Sequence, residues 1–226
     1  MAGVETLREQ VSVLVIVDVL SFSTAVNVAV SQGAVIYPFP YGDLGAAQVA
    51  ADQVGALLAK PRQAGGGQLS LSPASLLTIP NGTKLMLPSP NGSRLSLAGR
   101  GKLVVAGCLR NAAAAARLAR KLAGNGLIGV IPAGERWPDG SLRPAIEDLL
   151  GAGAIVQHLD MPSSPEAQVA RHAFRSASDE LAMLVHGSVS GQELASRGYV
   201  SDVDVALELG VSDCAPLLSG GAYRAA

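Results

Sequence analysis

Apolar positions along this chain fall into two kinds of stretch. The first is short and continuous. Val13-Leu14-Val15-Ile16-Val17 is almost entirely β-branched, and a run of that length without polar alternation reads as a strand buried on both faces. Ala34–Tyr37, Lys84–Leu87, Leu103–Ala106 and Leu127–Ile131 read as further strands. The second kind is longer and Ala-rich. One helix is predicted from Ser21-Phe22-Ser23-Thr24 to Val30, with the hydroxyls capping its first turn, and others over Asp43–Lys60, Asn111–Leu122 and Pro144–Leu159. The remainder reads as mostly helical, and Ser164-Pro165-Glu166 supplies a cap, a first-turn proline and an acid for the helix dipole.

Strands alternating with helices predict a three-layer α/β/α fold with a mixed, mostly parallel sheet, in a single domain over residues 1–226. The Asn81-Gly82 and Asn91-Gly92 dipeptides favour tight turns and predict a hairpin around Lys84–Leu87. Between Pro61 and Pro80 the composition shifts to Gly, Ser, Gln and Pro, with consecutive glycines at Gly65–Gly67, so a long irregular connection is expected there.

Composition narrows the function. With 226 residues, 49% hydrophobic but only 4% aromatic, one core built of small aliphatic side chains is expected. A net charge of −1 from 17 basic and 18 acidic residues, with no long run of either sign, excludes nucleic acid and anionic membranes as partners attracted by bulk charge. Cys108 and Cys214 show neither CxxC nor metal-type spacing, which suits a reducing compartment. The longest apolar run is too short to span a bilayer and no leader pattern opens the chain, so a cytoplasmic, soluble protein is expected, with enough apolar surface for a homodimer.

Candidate chemistry gathers where strands end, because ligands of open α/β sheets bind beyond the carboxyl ends of strands. Asp18 follows the first strand. A carboxylate there can hold a hard cation, take a proton from water or attack phosphorus, and it can equally well cap the next helix. Pro88-Ser89-Pro90-Asn91-Gly92-Ser93-Arg94 combines a turn, hydroxyls and a guanidinium, a set suited to a phosphate or sulfonate. In Ile131–Asp148 a strand empties into a charged loop containing Glu135 and Arg143, then a helix opening with Glu147 and Asp148. Neighbours on a helix point roughly 100° apart, so one acid is expected to face the site while the other caps or pairs with Arg143. Gly107-Cys108-Leu109-Arg110-Asn111 ends a strand and opens a helix, another anion-friendly terminus. The cysteine-phosphatase loop is absent, since Ala114 stands where its arginine belongs, and Cys108 reads as a small buried residue. Gly124–Gly129 matches GxGxxG but enters a strand, and His158, His172 and His186 lack metal spacing.

Taken together, Asp18-Val19-Leu20 with Ser21–Thr24, Pro90–Arg94, Gly107–Ala112, Ile146–Ile155 and Ser190–Leu194 with Gly198-Tyr199 and Asp202–Ala206 are similar to the 2-phosphosulfolactate phosphatase family, in the family's order over nearly the whole chain. The resemblance implies magnesium-dependent hydrolysis of 2-phosphosulfolactate to sulfolactate and phosphate, a step of coenzyme M biosynthesis, on an α/β fold distinct from better-known phosphatases. The partner is then a small anionic phosphorylated metabolite. Asp18, Glu147 and Asp148 become the expected catalytic residues, Asn91, Gly92, Ser93, Arg94 and Asn111 the substrate-binding ones, and Asp18 and Glu135 the Mg2+ ligands. The chain departs from the family pattern at Ser21, where a basic residue is usual, and at Lys60-Pro61-Arg62, Leu71-Ser72-Pro73 and Leu87–Pro90. Alternatives are a small-anion-binding protein on the same scaffold, or a haloacid-dehalogenase-like phosphatase, against which Leu20 stands where that superfamily has a second Asp.

Overall fold

The computed structural model describes residues 2–62 and 67–226. Val13–Val17 forms the first strand, β1, and every side chain in it is buried. Val13, Val15 and Val17 enter one core, Leu14 and Ile16 the other, as the two-residue period of a strand requires when both faces are covered. β1 sits between β5 (Leu103–Gly107) and β6 (Ile128–Pro132), parallel to both. A second parallel group joins β2 (Val35–Pro40), β3 (Leu57–Leu58) and β4 (Lys84–Ser89). A C-terminal hairpin of β9 (Pro216–Ser219) and β10 (Ala222–Ala225) links the groups with antiparallel pairing, giving the order β3-β4-β2-β10-β9-β5-β1-β6. A separate ribbon of β7 (Glu135–Arg136) and β8 (Leu142–Arg143) projects after β6. The expected mixed, mostly parallel three-layer architecture is what forms.

On one face lie α1 (Ala2–Leu7), α2 (Phe22–Ser31), α4 (Pro73–Leu76) and α5 (Gly92–Ala98). On the other lie α6 (Ala112–Ala123), α7 (Ile146–Gln157), α8 (Pro165–Ala177), α9 (Leu181–Gly187), α10 (Val189–Ser196) and α11 (Val200–Leu207). α3 (Leu44–Val54) makes a smaller cluster through Ala51 with Ala56 and Met86. α7 approaches α8 closely because Gly153 has no side chain; a Cβ there would lie 2.1 Å from the Ala170 carbonyl oxygen. Among the described residues no helix is long and apolar enough to cross a membrane.

Four expectations need correction. The helix predicted over Asp43–Lys60 stops at Gly55, which adopts left-handed φ of 63° and frees the chain to form β3. No hairpin forms around Lys84–Leu87: Asn81-Gly82 turns the chain into a strand that pairs in parallel with β2 and β3, and Asn91-Gly92 opens a helix. The C-terminal region is not helical to its end, since β9 and β10 enter the sheet and bury Tyr223 completely. The connection from Pro61 to Pro80 contains α4 and a bridge between Lys60 and Ser70, while Gly65 and Gly66 lie outside the described residues.

Candidate active site

The turn after β1 is built by side chains that answer the backbone. The Asp18 amide donates to Ser23 Oγ at 3.1 Å, and that hydroxyl donates to the Ile16 carbonyl at 2.8 Å. Thr24 Oγ1 donates to the Val19 carbonyl at 2.7 Å. The hydroxyls thus lock the strand-to-helix corner, while Ser21, although it stands at the N-cap of α2, makes no capping bond. Asp18 does that work: its Oδ1 accepts from the Phe22 amide at 3.0 Å. Its Oδ2 accepts from the Gly92 amide at 2.8 Å, joining the turn after β1 to the start of α5.

Glu147 and Asp148 are both buried, and their roles separate. Asp148 accepts the Val19 amide at 2.7 Å on Oδ1 and the Gly134 amide at 2.8 Å on Oδ2, fastening the turn after β1 to the loop after β6. Glu147 has no hydrogen-bond partner among the described residues. Arg143 pairs with neither acid, contrary to expectation: it donates to Glu193 Oε2 at 3.0 Å and lies 5.7 Å from the Trp137 ring centre. Glu135 enters from β7, and its Oε2 accepts from Asn91 Nδ2 at 2.8 Å.

Asp18, Glu135 and Asp148 are each raised by burial and by charge from neighbouring carboxyls. Burial first, and then the charge of Glu135, push the Asp18 carboxyl up to about 7, against the two backbone donors that favour ionisation. Burial and then the charges of Asp18 and Glu147 hold Asp148 well above the usual carboxylate range. Burial also raises Glu135, with Asn91 and Arg143 opposing it. Among the described residues no three His, Cys, Asp or Glu side chains are grouped as a metal-holding set.

Beside this cluster a pocket is lined by Asn91, Arg94, Glu135 and Arg136, which brings three of the sequence-predicted residues together. Three others do not offer free groups to a ligand. The Gly92 amide is spent on Asp18, Ser93 is fully buried with its hydroxyl donating to the Leu87 carbonyl at 2.9 Å, and Asn111 is turned inward. Asn111 Oδ1 accepts from the Cys108 amide at 2.9 Å while Nδ2 donates to the carbonyls of Ala106 and Cys214. The segment after α11 covers that helix start, with Gly210 and Ser212 amides donating to the carbonyls of Leu109 and Arg110. Cys108 is buried, and burial pushes its thiol up, as suits a packing residue.

Against Ser21 stands Arg62, which the sequence reading marked only as part of a departure from the family pattern. Arg62 Nη2 donates to Ser21 Oγ at 2.5 Å and to the Leu71 carbonyl at 3.0 Å. Its Nε approaches Oδ2 of the fully buried Asp202 at 3.3 Å, and its guanidinium lies 5.6 Å from the Tyr199 ring centre. Asp202 also accepts from Ser72 Oγ and from the Ala74 amide. No periodicity marks Arg62, and Asp202 shows in the sequence only as the start of a family-like segment and as an acid in the first turn of a helix, with no sign of its partner.

No curated protein matches the chain. The family model for 2-phosphosulpholactate phosphatase matches residues 3–221, and with carboxylates seated at the end of β1 and a cationic pocket beside them, the chain belongs to that family of phosphatases.

Proposed function

We propose that this chain hydrolyses a small phosphorylated acid of the 2-phosphosulfolactate class in a magnesium-dependent reaction. The observation that carries the reading is the seat of Asp18, a buried carboxylate fixed by two backbone amides at the end of β1 with Glu135 and Glu147 close enough to repel it. The donor set fits magnesium: it consists of carboxylate oxygens only, its repulsions are what a divalent cation relieves, and magnesium commonly takes one or two carboxylates with waters and substrate phosphate oxygens rather than a full protein cage. Asp18 and Glu135 would hold it. When bound, the ion supplies Lewis-acid stabilisation of charge on the phosphate oxygens.

The chain's own residues do the rest. Arg94 and Arg136 draw the phosphate to the pocket beside Asn91. Asn91 holds Glu135 in one orientation. Glu147, buried and unpartnered among the described residues, takes the proton of the attacking water as the water oxygen bonds to phosphorus, the ester P–O bond breaks and the leaving alkoxide takes a proton from solvent, while Asp148 keeps Val19 and Gly134 in place around it. This reading goes with a cytoplasmic setting and permits a homodimer.

The test is phosphate release from a panel of phosphorylated carboxylic and sulfonic acids, with magnesium and in excess chelator. Turnover that needs magnesium and disappears in Asp18→Asn is expected. Turnover in chelator, or stoichiometric zinc in the purified protein, overturns the magnesium assignment, and saturable binding of these esters without turnover makes the chain a binder of small anions.

A further inference from the structure

We infer that Arg62 is a specificity-determining residue of this site, taking the acidic group that the substrate carries in addition to its phosphate. The inference rests on the phosphatase reading above and adds to it the residue that selects the substrate class.

Two separate sets of cations stand near the Asp18 turn. Arg94 and Arg136 line the pocket beside Asn91 and Glu135. Arg62 is outside that lining, and its Nη2 meets Ser21 Oγ, three residues beyond Asp18. The side chain is one-fifth exposed, so it is neither a solvated surface arginine nor sealed within the core. Nη2 is committed to Ser21 and Leu71, and Nε faces Asp202, whereas Nη1 has no hydrogen-bond partner among the described residues. Burial lowers the Arg62 pKa, and the charges of Asp202 and then Asp18 oppose that, so the guanidinium lies within the field of the catalytic carboxylate.

Its mounting is more elaborate than a surface ion pair. Asp202 has no exposure, accepts from Ser72 and Ala74 and faces Nε, while the Tyr199 ring flanks the guanidinium. Such a mounting removes the rotamer freedom that a flexible arginine loses on meeting an anion. A phosphate ester with only a neutral alkyl group uses the Arg94 side alone. An ester whose short carbon chain also bears a carboxylate or sulfonate meets Arg62 with the second anion.

The test compares wild type with Arg62→Gln, Arg62→Lys and the double variant Arg62→Gln/Asp202→Asn, which leaves no buried charge unpaired and so guards against a fold lost for that reason alone. Each is assayed with magnesium on ethyl phosphate, on the phosphate ester of lactate and on that of 2-hydroxyethanesulfonate, the last two separating a carboxylate from a sulfonate. Removing a charge-assisted bond is expected to lower kcat/KM on one or both acidic esters about tenfold or more, mainly through KM, with less than about threefold change on ethyl phosphate and partial retention in the lysine variant. An equal loss on all three esters, or no loss on either acidic one, overturns the inference. If wild type releases phosphate from none of them the phosphatase reading fails, and calorimetric binding of the same esters decides Arg62 separately: an acidic ester must bind wild type more tightly than the glutamine variants while ethyl phosphate does not, and equal affinities overturn it.

Discussion

The Gly92 amide donates to Asp18 Oδ2 at 2.8 Å, and the place where a Gly92 side chain would begin is already filled by that same oxygen and by the Phe22 ring. A Cβ built on Gly92 would lie 2.3 Å from Phe22 Cδ1 and 2.7 Å from Asp18 Oδ2. The requirement for glycine here is one of close approach, and it makes the start of α5 part of the seat that holds the carboxylate.

Gly92→Ala must therefore move either the Phe22 ring or the Asp18 carboxylate. Overpacking of a tight site costs about 1–3 kcal/mol, which should appear as a lower melting temperature. Activity should fall further than stability explains, because the displaced group is the positioned carboxylate. A variant with parental melting and parental kcat would show that the seat is loose.

Asp18→Asn does not separate charge from shape cleanly. The aspartate accepts an amide on each oxygen, and an asparagine can accept on only one, turning an NH2 group toward the other amide. A loss of about 1–3 kcal/mol is expected for the unsatisfied donor. It should accompany a fall in kcat on the order of a hundredfold or more, as for a positioned catalytic group. Activity within a few-fold of wild type would reduce Asp18 to a helix cap.

The layered fold was legible because β1 is so uniformly apolar that only a doubly covered strand suits it, and Asp18 was legible because it ends that strand. The C-terminal hairpin was not read, although Gly220-Gly221 between two short apolar runs is a hairpin signal, because strands of four residues carry too little periodicity to compete with a helical region before them. Ser93 was expected to face a ligand for its hydroxyl beside a turn, and Asn111 for its place at a helix start, both suited to anions. The structure turns both inward because the strand ends beside them leave carbonyls and amides that must be satisfied. Arg62 and Asp202 are 140 positions apart (202 − 62), and nothing local to either announces the pair.

Glu147 and Asp148 adjoin in sequence, and mutation should affect them in opposite ways. Asp148→Ala strips the acceptor from two buried amides, those of Val19 and Gly134, at about 1–3 kcal/mol each. Glu147→Gln removes a buried charge with no partner among the described residues, so stability should hold or rise while kcat falls by about a hundredfold or more. Urea melts and steady-state kinetics on both variants check the contrast. If Glu147→Gln destabilises as much as Asp148→Ala, Glu147 is structural and the proton acceptor lies elsewhere.

Metal removal should change how stability depends on pH. In the chelated protein Asp18 titrates near 7, raised from an unfolded value of 3.8, and burial raises Glu135 and Asp148 as well. A carboxyl raised by folding keeps its proton in the native state after the unfolded chain has lost it, so between these values the native state binds more protons. For Asp18, stability then falls as pH rises, from a maximum below about pH 4 toward a floor above about pH 7, with a limiting slope of about 1.4 kcal/mol per pH unit, and Glu135 and Asp148 contribute in the same direction. Magnesium reverses the preference because it favours the ionised form, so the melting-temperature increase it causes should be small at pH 5 and larger at pH 8. Asp18→Asn should flatten the chelated profile and reduce the magnesium response together. The measurement is thermal melting from pH 4 to 8 in chelator and in excess magnesium. Because other carboxyls and histidines also titrate in this range, the comparison between wild type and Asp18→Asn is what decides: identical pH profiles and identical magnesium responses would show that Asp18 is neither raised nor a ligand.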